Sequence, residues 1–121
     1  MNPTFPTIAV VGPCASGKTT LISELRKRGY TAKHVAQEHS FVPDMWYRMT
    51  DPGVLIYLDV SYEVSKERQR VSEWPYNLYK KQISRLRHAR KHADLYLDTN
   101  QLTPGESNAT SRKSKYLKIY F

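Results

Sequence analysis

Cysteine is almost absent from this chain: Cys14 is the only one in 121 residues. An internal disulfide is thereby excluded, and a reducing compartment, the cytoplasm, is expected. No apolar run approaches the roughly 18 residues of a membrane-spanning helix, so no membrane partner is expected. Met1-Asn2-Pro3-Thr4-Phe5-Pro6 lacks a basic start and an apolar core, so a secretory signal is not expected. Carboxylates are scarce as well. Lysine and arginine total 19 against 11 aspartates and glutamates, a formal net charge of +8. From Trp74 to Ala93 there is no acidic residue, whereas Lys80, Lys81, Arg85, Arg87, Arg90 and Lys91 are basic. Arg112, Lys113, Lys115 and Lys118 form a second basic group. Such an imbalance suits an anionic partner: a nucleotide, a nucleic acid or another phosphorylated or acidic molecule. A chain of this length can bury about two-thirds of its unfolded surface, and residues 1–121 are expected to form a single domain.

Glycine is also sparing, at 5 residues, and two of them frame the most informative segment. Gly12-Pro13-Cys14-Ala15-Ser16-Gly17-Lys18-Thr19 matches the phosphate-binding pattern G-x-x-x-x-G-K-[ST] in full. Ile8-Ala9-Val10-Val11 before it is an apolar run fit for a buried strand. Thr20 to Arg28 after it is a helix with Leu21, Ile22 and Leu25 on one face, and Gly29 ends it. A loop of small residues feeding a helix turns backbone N–H groups and the positive dipole end toward one point. A polyphosphate fits that concavity, held by Gly12, Pro13, Cys14, Ala15, Ser16, Gly17, Lys18, Thr19 and Thr20. Lys18 would reach the terminal phosphates, and the Thr19 hydroxyl would be a ligand of Mg²⁺.

Further along, Tyr30 to Gln37 reads as a second strand ending at Glu38, and Ser40 to Met49 as a loop with one helical turn after Asp44. Asp51-Pro52-Gly53 is a turn, and Val54 to Asp59 a continuously apolar strand. Ser61 caps a helix through about Ser72. Pro75 starts another, with Tyr79, Ile83, Leu86 and Ala89 or Ala93 as its buried stripe. Leu95 to Asp98 is a short strand, and Thr103-Pro104-Gly105-Glu106 has the form of a capping box. The alternation predicts a three-layer α/β/α fold with a parallel sheet of four or five strands and ligands at the strands' carboxyl ends.

Three stretches resemble the P-loop kinases of small metabolites and nucleotides, the adenylate, cytidylate, shikimate and adenylylsulfate kinase group. They are the glycine loop with its helix, Leu55 to Arg68, and Ala93 to Thr99 with Leu102 to Glu106. The resemblance implies a P-loop NTPase fold in shortened form, ATP as phosphoryl donor, and a small-molecule, nucleoside or nucleotide acceptor. The lid is cut to about residues 71–77, the helix pair that usually binds an acceptor nucleotide has no room, and residues 107–121 form an atypical polar-basic tail. ATP rather than GTP follows from the resemblance, and no guanine-reading Asn/Thr-Lys-x-Asp is present.

Beyond the loop, Glu38 is placed to accept the proton of an acceptor hydroxyl or to hold Mg²⁺ through water. Deoxynucleoside kinases are similar here, with a Glu after the second strand and a Trp further on, as Trp46 stands. The alternative is a solvated glutamate between His34 and His39. Asp59 has two readings, as the Mg²⁺-ordering carboxylate or as a residue near the base. Arg68 and Arg70 flank the lid and would neutralise the transition state, with Arg85 and Arg87 opening to the same side. Trp74, Tyr76 and Tyr79 interleave with basic residues as stacking platforms do in single-strand nucleic-acid binders, although Tyr79 fits the core. The expected activity is Mg²⁺-assisted transfer of the γ-phosphoryl of ATP to a small acceptor. The alternatives are a non-catalytic or slowly hydrolysing nucleotide-binding module and a nucleic-acid-associated kinase.

Overall fold

The computed structural model describes residues 6–69 and 73–100. Strand β1 (Thr7–Val11) leads through the glycine loop into α1 (Lys18–Lys27) and then β2 (Thr31–His34). A 3₁₀ turn (Gln37–His39) and α2 (Met45–Thr50) precede β3 (Val54–Asp59). The helices α3 (Tyr62–Gln69), α4 (Tyr76–Arg85) and α5 (Arg87–His92) then lead to β4 (Leu95–Asp98). The strands form one parallel four-stranded sheet in the order β2-β1-β3-β4.

Alternation along the two central strands builds a core on each side of this sheet. Ile8, Val10, Ile56 and Leu58 face one way and pack with Leu21, Ile22 and Leu25 of α1. Ala9, Val11, Leu55 and Tyr57 face the other way, against Trp46 of α2, Leu86 and Ala89. Burial on both faces is why β1 and β3 are apolar at nearly every position. Helix α1 ends as its sequence suggests: the N–H of Tyr30 donates to the Leu25 carbonyl and that of Gly29 to Arg26. Ser61 caps α3 through its hydroxyl, which accepts the Val64 N–H at 3.2 Å.

Two expectations need correction. The second strand stops at His34 rather than continuing to Gln37, because Ala36 leaves the extended region and residues 37–39 wind into the 3₁₀ turn. The helix after Pro75 is two helices joined at Leu86, whose N–H is shared between the Gln82 and Ile83 carbonyls. Gln82 is buried on α4, and Ile83 only half-buried. Arg70, residues 71–72 of the lid region, the capping-box segment 103–106 and the tail 107–121 lie outside the described residues. Among the described residues no helix is long and apolar enough to cross a membrane.

Leu86 has no exposed surface and plugs this junction against the sheet. Leu86→Ala removes its buried methyls and leaves a cavity that two short helices cannot readily close. It is expected to lower the unfolding free energy by about 3 kcal/mol in urea titrations.

Candidate functional site

The loop after β1 is held from outside by its carbonyls. The Lys18 ammonium donates to the Gly12 and Pro13 carbonyls at 2.7 and 3.1 Å. The Ser65 hydroxyl of α3 donates to the Cys14 carbonyl at 2.8 Å, and the Arg68 guanidinium to that of Ala15 at 3.0 Å. The Thr99 hydroxyl, just after β4, donates to the Ser16 carbonyl at 3.0 Å. Two distant parts of the chain, α3 and the residue after β4, thus join Lys18 in fixing the carbonyl side of the loop.

The amide side is different. The Cys14 N–H donates to Gln82 Oε1 of α4 and the Ser16 N–H to the Pro13 carbonyl. The N–H groups of Ala15, Gly17, Lys18, Thr19 and Thr20 have no acceptor among the described residues. Ala15 and Gly17 take positive φ values of 63° and 101° on either side of Ser16. Such alternation of handedness turns neighbouring amides toward one side, the backbone geometry of a nest. Space beside Gly17 is open: a Cβ built there meets no atom within 4 Å. At Gly12, by contrast, a Cβ would lie 2.4 Å from the Leu58 carbonyl oxygen and 2.6 Å from Ser16 Oγ.

Facing the loop is one buried ion pair. Lys18 Nζ lies 3.0 Å from Glu38 Oε2, with both side chains under a tenth exposed. Glu38 Oε1 and Ser16 Oγ are buried with no hydrogen-bond partner among the described residues. An unpaired buried carboxylate oxygen is costly unless something supplies a donor or a cation. His39 Nε2 stands 3.8 Å from Glu38 Oε2. His34 belongs to the same electrostatic neighbourhood: burial, then the charge of Lys18, lowers its pKa, while Glu38 opposes the shift.

The turn that carries Glu38 is built around Gln37. Its side-chain amide donates to the Val42 carbonyl at 2.8 Å and to that of Arg85 at 3.3 Å, and its oxygen accepts the Trp46 N–H at 2.8 Å. Arg85 closes the circle by donating to the Glu38 carbonyl at 3.4 Å. Beside this turn a cleft of about 400 Å³ opens between Phe41 and the α4–α5 junction. Arg85, Arg87, His88 and Lys91 line it without a carboxylate, and the Arg85 guanidinium stacks 4.4 Å over the exposed Phe41 ring. Of the six basic residues of this stretch, Arg85, Arg87 and Lys91 line this opening, whereas Lys80 lies over Tyr76 and Arg90 over Tyr57 and Tyr96.

Of the residues singled out by sequence, the structure brings Gly12 to Thr20 and Glu38 together. Asp59 lies at the end of β3, while Glu38 follows β2, on the opposite side of β1. The Asp59 carboxylate accepts the Tyr96 hydroxyl, and burial together with that bond pushes the Tyr96 pKa up to about 12. Arg68 spans the Ala15 carbonyl and the hydroxyl and carbonyl of Thr99, and burial lowers its pKa. Its guanidinium braces the outer side of the loop. Trp46 is a core residue whose indole N–H donates to His88 Nδ1 at 3.1 Å, and the Tyr79 hydroxyl donates to the Val60 carbonyl. Trp74 and Tyr76 lie at the start of α4, where the Tyr62 hydroxyl donates to the Trp74 carbonyl and its ring meets Tyr76 edge-on.

Four residues that hold the site were not singled out: Gln37, Ser65, Gln82 and Thr99. All are polar and almost wholly buried. Only Gln82 carried a signal in the sequence, a polar side chain one turn before Leu86 on the apolar face of its helix; Gln37 lies on the 3₁₀ turn, Ser65 on a polar helix and Thr99 after β4. No protein-family model matches the chain, and no curated protein is similar to it in sequence.

Proposed function

We propose that this protein is a P-loop NTPase-type phosphotransferase that binds Mg²⁺-ATP at Gly12–Thr20 and transfers the γ-phosphoryl group to a small acceptor. The observation that carries this reading is the set of amides at Ala15 and at Gly17 to Thr20, without an acceptor among the described residues, beside the buried Lys18–Glu38 pair. A phosphate chain supplies acceptors for all these amides at once, and Lys18 exchanges its carbonyl and carboxylate partners for phosphate oxygens. Glu38 then becomes available as a base. The acceptor hydroxyl oxygen bonds to phosphorus as the bond to the ADP oxygen breaks, and the hydroxyl proton passes to the Glu38 carboxylate. The Thr19 hydroxyl would hold Mg²⁺, with the Glu38 carboxylate reaching the ion only through a bound water and so staying free to accept the proton, and the ion would neutralise charge on the phosphates. With Asp59 engaged by Tyr96, Glu38 is the better placed metal carboxylate.

The carboxylate-free cleft next to Glu38 favours an anionic acceptor, and its single exposed ring favours a small molecule over a nucleic-acid strand. A reducing, ATP-containing compartment suits both the chemistry and the lone thiol.

The test is a transfer assay with γ-labelled ATP and Mg²⁺ against nucleosides, nucleotides, hydroxy acids and oligonucleotides. A labelled acceptor is expected, and Lys18→Ala is expected to cut the rate at least about a hundredfold while the circular dichroism spectrum stays native. Label transferred equally well by Lys18→Ala would sink the proposal. Release of ADP and phosphate whatever acceptor is offered would identify a hydrolysing nucleotide-binding module.

A further inference from the structure

Phosphoryl transfer leaves unused two side chains at the mouth of the loop, and both belong to the donor types that soft metals prefer. Cys14 Sγ, a carboxylate oxygen of Glu38 and a ring nitrogen of His39 all lie within 4.8 Å of one another. They come from two segments, the glycine loop and the 3₁₀ turn after β2. We propose that these three side chains bind Zn²⁺, or a similar thiophilic divalent cation, and so tether the loop to that turn.

The donor chemistry selects the ion. Thiolate, imidazole and carboxylate together are a zinc set with one position left open, whereas Mg²⁺ demands oxygen donors in octahedral array. Glu38 is the second, independent pointer. It is 3% exposed, and its Oε1 is buried without a partner among the described residues. A cation coordinated through that oxygen would satisfy an atom that has no partner among the described residues.

The remaining requirements are met by neighbours. The ligand atoms must close by about 1 Å to reach zinc bond lengths of roughly 2.0–2.3 Å, and the exposed His39 ring on its short turn supplies that freedom. The Gln82 amide donates to Cys14 Sγ at 3.0 Å and fixes the direction of the sulfur, as outer-shell donors do for metal ligands. Lys18 opposes a nearby dication, but Glu38 and a Cys14 thiolate carry two negative charges against it. Lys18 also keeps the Gly12 and Pro13 carbonyls as acceptors when Glu38 turns to the metal. Binding releases the thiol proton to solvent and involves no change of oxidation state. A cation held there occupies Glu38 and blocks its use as a base, a consequence that rests on the phosphotransferase reading. The metal site itself does not.

The test uses the tag-free full chain with no nucleotide present. Zn²⁺ is titrated by calorimetry with a competing chelator, and Co²⁺ is used as an absorbing substitute. One ion per chain is expected, with a thiolate-to-cobalt charge-transfer band in the near ultraviolet. Cys14→Ser and His39→Ala should each weaken Zn²⁺ at least about tenfold, and the serine variant should lose the band. His92→Ala, on α5, should change neither. Equal affinity in wild type and Cys14→Ser, or a cobalt spectrum without the thiolate band, would overturn the assignment. Because neither readout involves phosphoryl transfer, failure here leaves the phosphotransferase reading standing, and the reverse holds.

Discussion

Glu38→Ala is expected to lower the unfolding free energy by about 3 kcal/mol, a loss out of proportion to a single side chain. Lys18 and Glu38 are both buried and lie 3.0 Å apart, so removing the carboxylate strands an ammonium in a poorly solvated site. The Gly12 and Pro13 carbonyls continue to accept from Lys18, which places the cost at the lower end of the range for broken buried pairs. Lys18→Met strands Glu38 instead, and that carboxylate already has one oxygen without a partner among the described residues, so a loss of about 3 kcal/mol or more is expected there. The double variant Lys18→Met/Glu38→Ala leaves no lone charge. Its loss should fall well short of the sum of the single losses, by an interaction energy of about 1–3 kcal/mol in urea denaturation. Strict additivity would show that the two groups do not interact. Phosphoryl transfer should be absent from all three, because either the phosphate cation or the base is gone.

Gly12→Ala should be almost as costly, for a steric reason. The new methyl would sit 2.4 Å from the Leu58 carbonyl oxygen, which belongs to the backbone of β3 and has little freedom to withdraw. Relief requires the loop to lift from the sheet or β1 to part from β3, a disruption at the upper end of overpacking costs, about 3 kcal/mol. Gly17→Ala provides the contrast. There a Cβ meets open space, and the penalty comes only from φ at 101°, about 1–2 kcal/mol. Thermal melts should therefore rank wild type, Gly17→Ala and Gly12→Ala in descending order. Calorimetric titration with Mg²⁺-ATP should show loss of binding in both. A Gly12→Ala protein that melts like wild type would contradict the close approach of loop and strand.

How much was legible follows from how local each cause is. Helix α1, β3 and β4 were readable because period, cap and turn residues are contained within each segment. Gly29 stopping α1, Asp51-Pro52-Gly53 preceding β3 and Ser61 capping α3 each needed only a few neighbours. Strand β2 was less readable. Only Ala32 among its four residues is buried, so its apolar pattern says little about where pairing ends. What ends it is the Gln37 side chain, whose partners are Val42 and Trp46 in the segment that follows and the distant Arg85, 48 positions on. The site divided in the same way. Gly12 to Thr20 could be read from a contiguous pattern, whereas the positions of Glu38 and Asp59 relative to the loop depended on strand order. A sheet ordered β2-β1-β3 sets Glu38 after the strand on one side of the loop and Asp59 after the strand on the other. Arg68 carried the charge expected of a transition-state group, but Thr99 and the Ala15 carbonyl engage it as a brace. Those contacts link residues more than thirty positions apart.

Strand β2 also bounds the sheet among the described residues, pairing only with β1 there. It is 4 residues long and leaves Thr31, Lys33 and His34 exposed. A foreign strand seeking to add at this rim finds few backbone groups to bond and a lysine to accommodate, the combination that discourages sheet-to-sheet polymerisation. Replacing Lys33 with a β-branched apolar residue would remove that safeguard, and slow precipitation at high concentration would reveal the loss.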